Sequence, residues 1–419
     1  MLAGFLRKKK VELVRCLTQP ELEVPSDADF VIEGYVDPGE ELIWEGPFGD
    51  HTGYYSLPDW YPRFHVTAIT HRKNAVYPAT IVGIPPQEDA WLGKATERIF
   101  LAPIKMTLVP EITDMDMPVE GVFHNLVITK IVKEYAGQGQ KVMNAMWGAG
   151  QMMFNKILVL TDGSTPLTDY KTLAAYVFRH CNVARDVVFS AGPMDVLDHS
   201  CSALGFGGKM CIDGTSKSPE ESDERYTWGD PASGLATAPG YAGESFPGYA
   251  AGIKAAFPDV LAVNDQLVGM DIPCLIISVK KTRLGHVREL HSRICALPQI
   301  ESIKMILYVE HTINPLDLGV ALWRFCNNLD PKRDQFLLER PQTANPSRIF
   351  ACLGLDGTIK TKSLDGFGRD WPNIIVADDQ TIKAVDEKWA SLGAGAFIAS
   401  PSLRFKGQMY GEEAAVNVG

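Results

Sequence analysis

Lys156-Ile157-Leu158-Val159-Leu160-Thr161-Asp162 is a short apolar run that stops on an acid. Its length suits a buried strand better than a helix. Working outward, Asn125-Leu126-Val127-Ile128-Thr129-Lys130-Ile131 reads as a second buried strand, and residues 138–154 as a methionine-rich helix between the two. Asp169 to Cys181 reads as a helix and Asp186-Val187-Val188-Phe189 as a further strand. Upstream, Ala90 to Phe100 is helical in pattern, with Glu88 and Asp89 placed for its first turn. Strand, helix, strand, helix, strand predicts a mostly parallel sheet with helices on its faces. The methionines at 143, 146, 152 and 153 are read as core or subunit packing rather than a binding surface.

The same unit recurs. A shift of 148 residues lays Ile128 on Ile276, Lys133 on Lys281, Gly137 on Gly285, Lys156 on Lys304 and Asp169 on Asp317. It also lays Arg185-Asp186 on Arg333-Asp334, and a small deletion brings Asp213-Gly214-Thr215 onto Asp356-Gly357-Thr358. Residues 271–362 are therefore expected to be a degenerate second copy. Between the copies, 214–270 is rich in Gly, Ser, Pro and Ala and reads as a long connection. The tail offers a strand at Trp371–Asp379, ending in acids, and a helix around Thr381–Leu392.

Toward the amino terminus the pattern is β. Val11–Cys16, Asp29–Val36, Pro62–His71 and Ala75–Thr80 read as strands joined by turns, with no helix before residue 80. So few strands do not make a whole domain. Either another segment or another chain is expected to complete them.

Composition narrows the function. The 419 residues carry a net charge of −11, which argues against a nucleic-acid partner. No apolar run reaches the roughly 18 residues a membrane span needs. Eight scattered cysteines without a C-x-x-C pair point to reduced thiols, a cytoplasmic setting and no structural zinc.

The chemically loaded stretch is Trp44-Glu45-Gly46-Pro47-Phe48-Gly49-Asp50-His51-Thr52-Gly53-Tyr54-Tyr55. Its glycines and proline forbid a regular helix or central strand. In a bent loop Glu45 and Asp50 can approach each other, which would push one carboxyl pKa upward and leave an acid able to donate a proton. A hairpin turn with surface acids is the competing reading. Gly205-Phe206-Gly207-Gly208-Lys209 lacks P-loop spacing and reads as a strand-entry turn.

Glu45 to Tyr55 resembles the signature of the UbiD family of decarboxylases, and the resemblance extends to Leu22–Tyr35, Lys133–Gly137 and Gly208–Lys217. It implies a flavin-reductase-like split β-barrel, here its C-terminal part, followed by a UbiD-type α/β domain, in an α/β (α+β overall) chain. It further implies reversible, non-oxidative decarboxylation of an aromatic or α,β-unsaturated acid with prenylated FMN, manganese and potassium. By position, Asp50 matches the proton-donating acid, Glu45 the second carboxylate, and Lys133, less closely, a cofactor-directed lysine. The family's metal ligands and paired arginine should precede Met1, so no metal ligand is assigned.

The expected division is 1–80 as barrel, 81–230 as the first α/β domain, 231–270 as linker, and 271–419 as the second copy and tail. A small aromatic acid (hydroxybenzoate-type, of quinone biosynthesis) is the expected substrate, and a homo-oligomer (dimer or hexamer) the expected assembly. The alternatives are a non-catalytic assembly subunit and a flavin reductase-like binding protein. The second copy is expected to serve packing or oligomerisation, and this chain alone is expected to bind flavin weakly.

Overall fold

The computed structural model describes residues 2–223, 225 and 248–416. They form two compact units, one of residues up to 49 with 56–81, the other of 50–55 with 82 onward.

The first unit opens with a short helix α1 (Leu2–Arg7), which the sequence reading did not anticipate. Strands β1 (Leu13–Arg15) and β2 (Glu23–Pro25) pair antiparallel. So do β3 (Phe30–Val36) and β8 (Phe64–His71), and β4 (Ile43–Glu45) and β7 (Asp59–Tyr61). The two-residue strands β5 (Phe48–Gly49) and β6 (Tyr55–Ser56) flank the turn between them. Residues 75–80 are irregular rather than the expected strand. Among the described residues these ribbons leave apolar faces open: Ile32, Trp44, Trp60 and Ile69 are each 58–62% exposed. Two-stranded ribbons without a covered apolar face are marginal alone.

The second unit holds the repeat. Its first half runs through α2 (Asp89–Thr107), β9 (Ile112–Asp116), β10 (Leu126–Ile131), α3 (Gln138–Trp147), β11 (Ile157–Thr161), α4 (Tyr170–His180), β12 (Val187–Pro193) and β13 (Phe206–Asp213). Its second half runs through α5 (Tyr249–Ala256), β14 (Val260–Asn264), β15 (Cys274–Val279), α6 (His286–Cys295), β16 (Met305–Glu310), α7 (Leu318–Asn328), β17 (Gln335–Pro341) and β18 (Ile349–Asp356). The two sheets have the same order, β9-β10-β11-β13-β12 and β14-β15-β16-β18-β17, with three parallel strands in the middle and an antiparallel strand at each edge.

The second copy begins earlier than expected. Helix α5 and strand β14 lie inside the stretch read as linker, whose residues 231–247 fall outside the described ones. The methionine-rich helix is shorter than expected; it stops at Trp147 before Gly148 and resumes as a 3-10 turn over Gly150–Phe154. In the tail, α8 (Lys362–Asp365) and α9 (Asp379–Lys388) are helical. Residues 371–377 form only isolated bridges, from Pro372 to Ala415 and Ile374 to Tyr54.

Local chemistry matches between the copies. Asp169 caps α4 through Thr172 N at 3.2 Å, and Asp317 caps α7 through Val320 N at 3.5 Å. Met305, Leu307 and Val309 of β16 face a core shared with the first copy, whereas Ile306 and Tyr308 face the α6 side. The shared core draws Ile157 and Met210 from one copy and Ile276, Leu353 and Leu355 from the other.

Two lysines lock the copies together. Lys156 Nζ donates to the carbonyls of Cys326 (2.9 Å) and Asn327 (3.4 Å) at the end of α7. Lys304 Nζ donates to the Phe178 carbonyl and, at 3.0 Å, to that of Cys181, at the end of α4. Residues 156 and 304, and 178 and 326, are equivalent under the 148-residue shift, so the contact is reciprocal, as in a twofold dimer. Each cation also meets the negative end of a helix.

Candidate active site

Within the second unit, Asp50 to Tyr55 form a tight turn. Gly53 N donates to the Asp50 carbonyl (3.1 Å) and Asp50 N to that of Tyr54 (3.2 Å). Gly53 has φ +82°, and a Cβ there would lie 2.6 Å from Trp323 Cζ2, so only glycine fits.

The turn is held by the second copy and the tail. Trp323 Nε1 donates to the Thr52 carbonyl at 2.8 Å, and the Tyr54 hydroxyl to Asn328 Oδ1 at 2.9 Å. Ile375 N donates to the Gly53 carbonyl (2.9 Å) and Tyr55 N to that of Asn373 (3.1 Å). Tyr54 is 2% exposed, with its ring 4.3 Å from His199 and 5.5 Å from Trp323. Helix α7 of the second copy thus grips the signature loop, a role beyond the packing expected of that copy.

Asp50 Oδ1 accepts from His51 N (2.7 Å) and lies 3.0 Å from His51 Nδ1. On the other side of the imidazole, Nε2 is 3.7 Å from Asp89 Oδ2 at the start of α2. Burial alone would lower the His51 pKa, but the hydrogen bond to Asp50 and the charges of Asp89 and Asp50 outweigh it, and the net shift is upward. Burial also raises the Asp89 carboxyl, against the pull of His51. A small cavity beside them is lined by His51, Asp89, Pro85, Met117 and Phe123. His124 is buried, burial lowers its pKa to about 4, and its Nε2 has no hydrogen-bond partner. The ring can exchange a proton with Asp50 through Nδ1, while Asp89, 3.7 Å from Nε2 and not hydrogen-bonded to it, acts on the imidazole through its charge.

Of the residues expected at the site, Asp50 stands in this turn. Glu45 belongs to the first unit, where it ends β4 opposite Asp59 and is exposed. Lys133 does not present a free ammonium. Its Nζ donates to Thr215 Oγ1 (3.1 Å), the Ser216 carbonyl (2.6 Å) and Glu221 Oε2 (2.6 Å). Lys281 does the same with Thr358 Oγ1 (3.1 Å), the Ile359 carbonyl (2.7 Å) and Asp365 (2.7 Å). The motif is therefore a brace of the repeated α/β unit, and its recurrence without a second signature loop explains it structurally. Sequence reading assigned no role to His51, Asp89, His124, Trp323 or Asn328. The acid at the start of the 89–107 helix was the one visible hint.

Comparison with known proteins gives the family. The profile of the 3-octaprenyl-4-hydroxybenzoate carboxy-lyase Rift-related domain matches residues 1–85, and that of the C-terminal domain matches 90–214 and 248–348. An uncharacterized protein of Archaeoglobus fulgidus is 50% identical over 231 residues, 55% of this chain and 47% of the relative. One of Helicobacter pylori strain J99 is 35% identical over 390 residues, 93% of this chain and 57% of the relative. The chain thus spans about half the length of the curated relatives it matches. Among solved structures, the vanillic acid decarboxylase of Sedimentibacter hydroxybenzoicus in its closed form matches at 26% identity and TM-score 0.48, over 54% of this chain and 48% of that one. With these profiles over the first unit and over both α/β copies, the chain belongs to the UbiD family.

Proposed function

We propose that this chain works as part of a UbiD-type carboxy-lyase. The reaction is the non-oxidative, reversible removal of carbon dioxide from an aromatic or α,β-unsaturated acid. Asp50 protonates the carbon that loses it. The observation that carries this reading is the Asp50–His51–Asp89 array, in which the imidazole can resupply a proton spent by Asp50. Family membership supports the reaction class, and the family's description as a 3-octaprenyl-4-hydroxybenzoate carboxy-lyase supports a hydroxybenzoate-type acid as substrate, with quinone biosynthesis kept on resemblance. Glu45 is kept as the second carboxylate, and a barrel part up to about residue 80 followed by two α/β copies as the domain plan, on family resemblance.

Prenylated FMN, when bound, supplies the electron sink for loss of carbon dioxide. The exposed rings of the first unit, such as Trp44 and Trp60 at 5.2 Å edge to face, offer apolar surface to a flavin or to a completing strand layer. No described residue is assigned to manganese or potassium. The single group of three clustered metal-ligating side chains among the described residues is an imidazole with two thiols, too soft for either ion. No step is assigned to those metals. The buried, unbridged cysteines suit a reducing, cytoplasmic setting.

The exposed strand faces of the first unit also support an assembly role, in which a homo-oligomer or a longer homologue covers them. Activity separates the readings. The chain joined to the amino-terminal half of a family barrel and loaded with prenylated FMN is offered hydroxybenzoic, phenolic and cinnamic acids. Carbon dioxide release from one of them is expected. Release from none, with flavin retained, supports the assembly subunit, and NAD(P)H oxidation without carbon dioxide supports a reductase.

A further inference from the structure

His291, Cys295 and Cys352 meet in the core of the second α/β copy, away from the signature loop. His291 and Cys295 are one turn apart on α6, and Cys352 lies on the facing strand β18. All three are at most 1% exposed, and one ligand atom from each lies within 4.8 Å of the others. Cys295 Sγ is 3.6 Å from His291 Nε2. That is close to the edge of about 3.5 Å that bonds of about 2.0 and 2.3 Å impose around a tetrahedral zinc.

The fold does not require an imidazole or thiols there. The equivalent places in the first copy hold Met143 and Trp147 on α3, Leu160 opposite Tyr308, and Lys209 opposite Cys352. Met143 and Leu160 pack in an apolar cluster under α3. Room for the imidazole comes from Gly354, where a Cβ would stand 2.5 Å from His291 Nδ1; the first copy has Cys211 at that place.

We infer that His291 Nε2, Cys295 Sγ and Cys352 Sγ form a buried site for a divalent soft cation, zinc. Each thiol releases its proton to solvent as its sulfur joins the metal, and no electron moves. Two thiolates and one Zn2+ sum to zero charge, so the core keeps no net charge. His291 Nε2 lies 3.3 Å from the Cys352 carbonyl, which can only accept, so metal binding requires the proton to move to Nδ1, where the Tyr308 hydroxyl 3.1 Å away can accept it.

The test uses the whole chain, stripped with chelator and titrated with Co2+ and then Zn2+. One equivalent of cobalt should bind with the thiolate-to-metal charge-transfer band and intense visible bands of a tetrahedral sulfur site, and zinc should bleach them. Cys352→Ser should lose the charge-transfer band, Cys16→Ser should keep it, and Tyr308→Phe should weaken zinc binding about 10- to 100-fold. Cobalt binding without a thiolate band in the unaltered chain overturns the site. So does a Cys295–Cys352 disulfide, seen as a loss of two hydrogens in mass under mild peroxide and unprevented by zinc.

Discussion

Asp50 and Asp89 stand on either side of one imidazole, and their effect on it is measurable. With its pKa raised, His51 contributes stability that is fully present below the unfolded value of about 6.5 and is lost as pH rises through the folded value. Replacing Asp50 by Asn removes the hydrogen-bonding carboxylate, so the His51 pKa should fall; an NMR titration of the ring carbon in both proteins checks this. His124 and His199 act in the opposite sense. Burial lowers them to about 4 and about 3, so the unfolded chain takes up protons there first. Stability should therefore fall as pH drops from about 6.5 toward 4, by up to about 1.4 kcal/mol per pH unit for each histidine. Urea melts at stepped pH read that slope, and a flat profile would contradict it. Lys133→Met should lower stability by about 1–3 kcal/mol because its partners, the Ser216 carbonyl and Glu221, lose a donor. If Lys133 instead served a flavin, cofactor affinity would fall while the melting point held.

The turn over 50–55 depends on elements far away in sequence. Trp323 on α7 supplies both a wall against Gly53 and a donor to the Thr52 carbonyl. Trp323→Ala should cost about 3–5 kcal/mol as a buried ring lost from a packed site. Gly53→Ala should cost about 1–3 kcal/mol or more, since strain at positive φ adds to the collision. Differential scanning calorimetry ranks the two, and a neutral Gly53→Ala would refute the close approach. These dependencies were not legible in the sequence. Periodicity exposes neighbours along one element, whereas the contacts of Thr52 and Tyr54 with α7 join residues 271 and 274 positions apart. Asp89 was visible as a helix-start acid, but nothing local paired it with His51.

The repeat was legible, because equivalent lysines, aspartates and glycines keep their phase over the whole second unit. Lys156 and Lys304 aligned before any contact was known, and they close the two copies on each other. What the shift could not reveal is the ion pair of Lys156 with Asp198, 2.8 Å apart with neither side chain exposed. Lys156→Met should therefore cost about 3–5 kcal/mol by stranding Asp198. An unchanged chemical denaturation midpoint would contradict that. The first unit was legible as strands lacking a cover, and its exposed apolar faces agree. Across the molecule, both α/β copies converge on presenting one acid on one loop. Solvent-deuterium incorporation into the decarboxylated product, by the chain completed with a family barrel half and loaded with prenylated FMN, tests that acid. Asp50→Asn should abolish the exchange while flavin absorbance stays in place, and undiminished exchange in that variant would remove Asp50 from the proton-donor role.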